Sequence, residues 1–365
     1  MYSTWTIIDK LAIQNNVRRL KEITATEVMA IVKANAYGHG AVPVARAALQ
    51  GGASWFGVAR ASEASELRQA GIQAPILLLG YTPRAHFEEM IRNDVSLTVW
   101  DPGQLSLLSE TAAQVGQPAK IHINVDTGMS RLGVQTEEAL ALTALARDTP
   151  GIIYQGLFSH FARADERDPA ATDQQWKSFQ DIRNELASAG LLPPWVHHAN
   201  SAASLTRKET ALSLVRIGIA MYGLHPSPDC RLPADFHPAL SWKSILSQVK
   251  ELPPGRGVSY GHEYVTTDIE RVGTIPVGYA DGFRRCPGNQ VLVGGKRVPV
   301  IGRVTMDYIL VQLDDVPGAK AGDEVVLLGS QGQESISAEE VAGNWGTINY
   351  EVTCAISPSV PRLYP

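Results

Sequence analysis

One lysine, Lys33, closes the apolar run 28–32 and is followed at once by Ala-Asn-Ala-Tyr-Gly-His-Gly, residues 34–40. An amine at the carboxyl end of a strand faces a loop rather than bulk water, and a partly desolvated lysine can form a Schiff base with a carbonyl cofactor. Residues of complementary chemistry recur after later apolar runs: Asp126 and Arg131, then His160, then Asn200 with Ser201, with Arg216 inside the last run. Lysine and histidine move protons, whereas arginine and serine hold anions. Singly, each has an ordinary structural explanation, such as a solvated lysine or a satisfied core histidine. Their repeated arrival at the same point of successive units makes them a candidate site.

The elements that must position them are regular. Between residues 27 and 223 short apolar segments (28–32, 55–59, 76–79, 95–99, 120–125, 152–159, 195–199 and 214–217) alternate with amphipathic stretches such as 61–70 and 172–189. In the latter, Trp176, Phe179, Ile182 and Leu186 fall at helical spacing. Eight such units imply an α/β protein with a (β/α)8 barrel, in which strand carboxyl ends face the active site. An open doubly wound sheet is the competitor, and the count favours the barrel. Trp5 to Asp9 reads as an extra strand outside it.

After Leu232 the helical period nearly stops, and Val, Thr, Ile and Gly take over. Residues 291–300 read as strand, Gly-Gly turn, strand, and 305–313 and 324–328 as further strands. The expected division is a barrel over 1–232, with residues 1–10 a candidate to pair with the second domain, and a C-terminal mostly β domain over 233–365. The Pro-containing stretch 225–237 joins them.

Composition narrows the function. A hydrophobic fraction of 44%, a charged fraction of 19% and a net charge of -5 without charge runs give no electrostatic case for nucleic acid or membrane partners. The first ten residues lack the basic start and apolar core of a signal peptide, so a cytoplasmic enzyme acting on a small molecule is expected. Cys230, Cys286 and Cys354 are dispersed, which indicates neither a disulfide framework nor a cysteine metal site. His197 and His198 are adjacent and would point to opposite faces of a strand, so no metal is expected.

Ordered motifs then give a sharper reading. The segment AIVKANAYGHG, residues 30–40, resembles the pyridoxal 5'-phosphate lysine motif of the alanine racemases. Further segments resemble other parts of that family: VDTGMSRLG (125–133), FSHF (158–161), HANSAA (198–203), VRIGIAMYG (215–223), VSYG (258–261), VGYADG (277–282), GRVTMD (302–307) and INYE (348–351). The resemblance covers nearly the whole chain and implies interconversion of L- and D-alanine, supplying D-alanine for cell-wall peptidoglycan. By that resemblance Lys33 carries the cofactor. Tyr37, Ser201, Gly218, Ile219 and Tyr350 bind its phosphate, Arg131 contacts its phenolic oxygen, and Arg216 faces its pyridine nitrogen. Arginine stays protonated, so it can donate to that nitrogen without surrendering a proton.

Racemisation needs one proton removed from one face of the α-carbon and another delivered to the opposite face. The resemblance assigns these roles to Lys33 and to Tyr260. It makes His160, held by Arg216, the group that activates Tyr260. Tyr260 and Met306 would reach the site from the partner of a head-to-tail homodimer, with Met306, Tyr279, Arg131 and Tyr350 on the substrate. A decarboxylase on the same barrel would place an acid where Arg216 stands, and a non-catalytic cofactor-binding barrel would lack Tyr260 and the β domain. A broad-spectrum or serine racemase is the alternative kept. One departure is visible: many members have a carbamylated lysine seven residues before the arginine of TGMxRLG, and this chain has Asn124. Either the Asn124 amide meets Arg131 directly or a bound anion, most plausibly chloride, sits between them.

Overall fold

The computed structural model describes residues 2–365; Met1, the first residue of the expected barrel domain, lies outside the described residues. Two compact units emerge, one formed by Leu11–Ala36 with Ala41–His237, the other by residues up to Lys10 with Tyr37–Gly40 and Pro238–Pro365.

In the first unit eight described strands form one parallel sheet. Its order is Trp195–His197, Ile152–Phe158, Ala119–Asn124, Val95–Val99, Ile76–Leu78, Trp55–Val58, Glu27–Ile31 and Leu214–Ile217. The two ends meet, because the Arg216 N–H donates to the Ala199 carbonyl at 3.0 Å and the Ser213 N–H to the Val196 carbonyl at 3.2 Å. A barrel closed at this seam replaces the open sheet as a possibility. Every residue of Val95–Val99 is buried, as expected for a parallel strand covered on both faces. The outer helix Ala170–Ser188 buries Trp176, Phe179, Ile182 and Leu186, the stripe legible in the sequence. The strand expected over 195–199 stops at His197. Beyond it, the His198 ring stacks on Phe161 at 3.7 Å and packs near Phe179 and Trp176, on the helix side.

The second unit is built on a mostly antiparallel sheet. Thr4–Ile8, the extra strand expected near the N-terminus, pairs antiparallel with Leu240–Ile245 and parallel with Arg362–Leu363. Gln290–Val293 and Lys296–Ile301 form the expected hairpin, with Gly294 and Gly295 at φ +58° and +75° as a tight primed turn requires. The strand expected over 305–313 is only Ile309–Gln312. Thr305 explains the loss: its N–H donates to the Tyr308 carbonyl at 3.0 Å and its Oγ1 accepts from the Tyr308 N–H at 3.0 Å, closing a turn where a ladder was expected.

Tyr37–Gly40, in the middle of the lysine motif, packs in this second unit. A Cβ on Gly38 would lie 2.1 Å from the Thr353 carbonyl oxygen, and Arg362 Nε donates to the Gly38 carbonyl at 2.8 Å. Among the described residues, no helix is long and apolar enough to cross a membrane.

Candidate active site

Lys33 follows the barrel strand Glu27–Ile31 and opens a left-handed turn: Ala34, Asn35 and Ala36 have φ of 53°, 51° and 53° with ψ of 50°, 47° and 53°, and Tyr37 has φ 53°. Each left-handed L-residue costs about 1–2 kcal/mol, so four in succession persist only under external constraint. Within the barrel unit the constraint is visible. Glu63 Oε1 accepts from the Ala34 N–H at 2.6 Å, Asn35 Oδ1 accepts from the Ala41 N–H at 2.9 Å, and the Ala36 N–H reaches the Val32 carbonyl at 2.9 Å. The other oxygen of Glu63 accepts from the N–H groups of Ala59 and Arg60 at 2.8 and 3.1 Å. Lys33 is thus anchored by the neighbouring strand-to-helix corner.

Arg216 is the best-held cation of the barrel. It is 3% exposed, and its acceptors are all neutral. Nη1 donates to His197 Nδ1 at 2.7 Å and to the His197 carbonyl at 3.0 Å. Nη2 reaches the Ser159 carbonyl at 2.6 Å, His160 Nδ1 at 3.0 Å and the His198 carbonyl at 3.0 Å. Its guanidinium lies 5.2 Å from the Phe158 ring centroid, and that ring stacks on His197. Burial and the charge of Arg131 push Arg216 down to about 9, which leaves it cationic at neutral pH.

Because a guanidinium has no acceptor, these bonds fix the imidazole tautomers. His197 Nδ1 must accept, so its proton sits on Nε2. That nitrogen is 2.9 Å from His122 Nδ1, which must accept in turn and leaves the His122 proton on its Nε2. His160 likewise accepts through Nδ1 and keeps its proton on Nε2. Burial, then the charges of Arg216, Arg131 and Lys33, hold His160 well below the usual histidine range, and those same charges place the four residues in one electrostatic neighbourhood. His197 is also held well below that range by burial and Arg216, and His122 is pushed down to about 3 by the same causes.

The loops after the last two barrel strands supply anion donors. Asn200 caps the helix Ser201–Thr206, its Oδ1 accepting from the Ala203 N–H at 3.0 Å. Ser201 Oγ accepts from the Gly218 N–H at 3.0 Å and from the Ala220 N–H at 3.4 Å, which leaves its own proton to donate. Ile219 begins the following single helical turn. Asn124 ends its strand buried, and Arg131 lies exposed in the loop beyond, folded around Asp126 Oδ1, which accepts from the N–H groups of Gly128 and Ser130 at 2.9 and 3.0 Å. Among the described residues no hydrogen bond joins Asn124 to Arg131.

The remaining candidates belong to the other unit. Tyr37 and Tyr350 lie with ring centroids 6.0 Å apart, and burial raises Tyr37 well above the usual tyrosine range. Tyr260, Tyr279 and Met306 are 72%, 48% and 53% exposed. Tyr279 and Met306 are neighbours through backbone bonds from the Tyr279 N–H to the Thr305 carbonyl and from the Ala280 N–H to the Met306 carbonyl, each 3.0 Å. The structure thus brings Lys33, His160, Arg131 and Arg216 together in the barrel unit, and Tyr279 with Met306 in the other.

His122 and the buttressing role of His197 were missed by the sequence reading, because the chain of bonds from Arg216 through His197 to His122 joins three different strands. A faint signal existed in Gly156, where any Cβ would lie 2.0 Å from His122 Nδ1. That glycine, in the middle of an otherwise bulky strand, marks the space the imidazole occupies.

Comparison with known proteins agrees with the geometry. The family model for the alanine racemase N-terminal domain matches residues 8–226, and that for the C-terminal domain matches residues 239–364. Alanine racemases of Halothermothrix orenii and Symbiobacterium thermophilum are 42% and 43% identical. The alignments cover 99% and 100% of this chain and 96% and 97% of theirs. Among solved structures, the alanine racemase of Clostridium difficile 630 superposes with a TM-score of 0.95 at 38% identity, covering 100% of this chain and 96% of that one. That of Bacillus anthracis with bound L-Ala-P superposes with a TM-score of 0.93 at 42% identity, with the same coverage. These relatives do not favour the broad-spectrum or serine alternative. With the N-terminal family model matched to the barrel and the C-terminal one to the β unit, the chain belongs to the alanine racemase family, the amino-acid racemases that depend on pyridoxal 5'-phosphate.

Proposed function

We propose that the chain racemises alanine with two acid/base groups on opposite faces of the substrate α-carbon, Lys33 serving the D isomer and Tyr260 the L isomer. Tyr260 comes from the partner subunit of a head-to-tail homodimer. The observation that carries this reading is the placement of Tyr260: a residue needed for proton transfer is 72% exposed and lies in a different unit from Lys33.

The barrel residues fit pyridoxal 5'-phosphate. Of the five guanidinium N–H groups of Arg216, four face the neutral acceptors described above, and among the described residues only Nε–H has none. A single spare donor on a buried cation suits a pyridine nitrogen. The Ser201 hydroxyl and the Ile219 N–H, with the hydroxyls of Tyr37 and Tyr350, would take the phosphate, while Gly218, whose own N–H holds Ser201 Oγ, would leave room for its close approach. When bound, the cofactor supplies the electron sink that makes the α-proton removable. Arg216 would donate to the ring nitrogen through Nε–H without giving up a proton. His160, with its only proton on Nε2, would donate to the Tyr260 oxygen and so favour its anion, which makes the histidine a hydrogen-bond donor rather than a base. Arg131, Tyr279 and the Met306 backbone would hold the substrate, and the bulk of Tyr350 would favour alanine over serine. The product D-alanine serves cell-wall peptidoglycan, and the enzyme acts in the cytoplasm.

Mixing Lys33→Ala and Tyr260→Phe subunits tests the shared site. Half of randomly mixed dimers would pair the two variants and restore one of their two sites, giving roughly a quarter of wild-type activity. No recovery despite demonstrated subunit exchange would place both bases within one chain. A chloride ion between Asn124 and Arg131 would brace the arginine, a reading supported by the lack of a direct bond between them. Crystals grown in bromide should show anomalous density there, and an amide or water alone would remove the anion.

A further inference from the structure

Tyr260 sits at the tip of the short hairpin formed by Gly257–Val258 and Tyr264–Val265, and its backbone is strained on both sides. Ser259 has φ +62° and ψ -171°, a region that is essentially glycine's alone. Gly261 and His262 follow at φ +74° and +47°. A serine held in such a conformation needs partners that over-determine it, and besides the His262 N–H on its own carbonyl these come from Gly302 and, above all, Arg303. The Ser259 hydroxyl donates to the Arg303 carbonyl at 2.6 Å. A Cβ on Gly261 would lie 2.9 Å from Arg303 Cζ, so the guanidinium lies flat against that glycine. The same guanidinium makes an ion pair with Glu263. Gly302, just before Arg303, presses so close that a Cβ there would lie 2.6 Å from the Val258 carbonyl oxygen and 3.0 Å from Ser259 Cβ. Alternate residues 259, 261 and 263 are therefore held by Arg303, the His262 ring lies against Gly257, and Tyr260 is left exposed.

We propose that Arg303, acting through Ser259 and Glu263, is the positioning residue that fixes where Tyr260 presents its hydroxyl. This rests on the reading of Tyr260 as the L-face base. Proton transfer requires the phenol oxygen within hydrogen-bond reach of the α-carbon's proton, and a misplacement of about 1 Å can cost roughly 100-fold. Val258 and Tyr264 anchor the base of the hairpin in a buried cluster, but the exposed Tyr260 side chain itself is not fixed by burial. The bracket provides that accuracy by constraining the backbone on either side. Ser259 keeps its unfavourable conformation because relaxing it would break the hydroxyl bond and lift Gly261 from the guanidinium.

The test uses the cofactor-loaded enzyme in D2O and compares two rates, wash-out of the α-proton of D-alanine and its racemisation. In wild type the two should be similar. If the bracket positions Tyr260, then Arg303→Ala, Arg303→Lys and Ser259→Ala should slow racemisation about 10- to 100-fold while Lys33 still exchanges the D-alanine proton. The ratio of wash-out to racemisation should rise by a similar factor from D-alanine and stay low from L-alanine. Loss of activity with an unchanged ratio would overturn the positioning role, since general misfolding slows both rates together. Arg303→Lys keeps a cation for Glu263 and serves if Arg303→Ala does not fold. In the cofactor-free protein, amide hydrogen exchange over residues 257–265 should quicken in the same variants, and unchanged exchange would equally overturn the bracket. Tyr260→Phe separates the two ideas. If it raises the ratio and the bracket variants do not, the bracket falls alone; if it leaves the ratio unchanged, the two-base reading falls and takes the bracket's catalytic role with it.

Discussion

Arg216 and Arg303 are both arginines with several partners, but they are held in opposite ways. Arg216 is buried among imidazoles and carbonyls with no carboxylate on its guanidinium, whereas the side chain of Arg303 is 34% exposed and is paired with Glu263. A buried cation without a counter-charge is costly in the folded state unless it is fully hydrogen-bonded and unless a ligand brings the missing electron density. Where the charge is neutralised locally, as at Arg303 by Glu263, the pull on an anionic or electron-rich ligand is weakened, and the residue's contacts are with the backbone around it. Charge left open thus marks a binding arginine, and charge closed marks a positioning one.

The largest effect that would break this contrast is structural. Arg216→Ala would strand the Ser159 and His198 carbonyls and two imidazole nitrogens, and each buried group left unsatisfied costs about 1–3 kcal/mol. Urea denaturation of the cofactor-free protein should show that loss; a change within error would mean the network is not what holds the barrel mouth. The same substitution should also weaken cofactor retention on dialysis.

Acid should find the same weakness from another side. His122, His160 and His197 have folded-state pKa values depressed below the unfolded value near 6.5. Below that value the unfolded chain binds protons that the folded chain refuses. Stability is therefore fully present above about pH 6.5 and falls as pH drops toward the folded values, about 3 for His122, at up to about 1.4 kcal/mol per pH unit for each neutral histidine. Urea midpoints at pH 7.5, 6 and 5 would check this, and a flat profile would show that these rings bind protons in the fold as readily as in the unfolded chain.

A smaller effect sharpens the role of the outermost ring. His122→Phe fills the volume but leaves the His197 Nε2–H without its acceptor, at a cost of about 1–3 kcal/mol. Its acid sensitivity should be shallower than wild type, because one titrating group is gone; an identical pH profile would exclude His122 from the linkage. The smallest effect on stability belongs to the exposed arginine. Glu263→Gln should leave the urea midpoint unchanged, as exposed ion pairs contribute little, yet still raise the wash-out ratio from D-alanine. A drop in stability comparable to that of Arg216→Ala would erase the distinction between the two arginines.

Much of this molecule can be read without coordinates. The period of apolar and amphipathic segments predicts eight barrel strands within a residue or two, because a parallel strand buried on both faces must be apolar throughout and its covering helix must carry one apolar stripe. Local pattern carries that information. It also places Lys33, His160 and Arg216 at strand ends, since strand direction alone decides which end meets the loops. The closure of the barrel, the left-handed turn after Lys33 and the strained Ser259 were not legible, because alanine, tyrosine and serine disfavour those conformations, one asparagine does not announce a run of four, and bonds from residues distant in sequence impose them. Glu63 lies 29 residues from Ala34, and Arg303 lies 44 from Ser259. The strand expected over 305–308 failed for a nearer reason, a threonine hydroxyl offering the backbone a turn. Residue types and spacing therefore determine which chemistry is available and on which elements it stands. Tautomers, charge compensation and backbone strain are decided only when the fold brings distant donors and acceptors within about 3 Å, where desolvation makes each unmade bond costly.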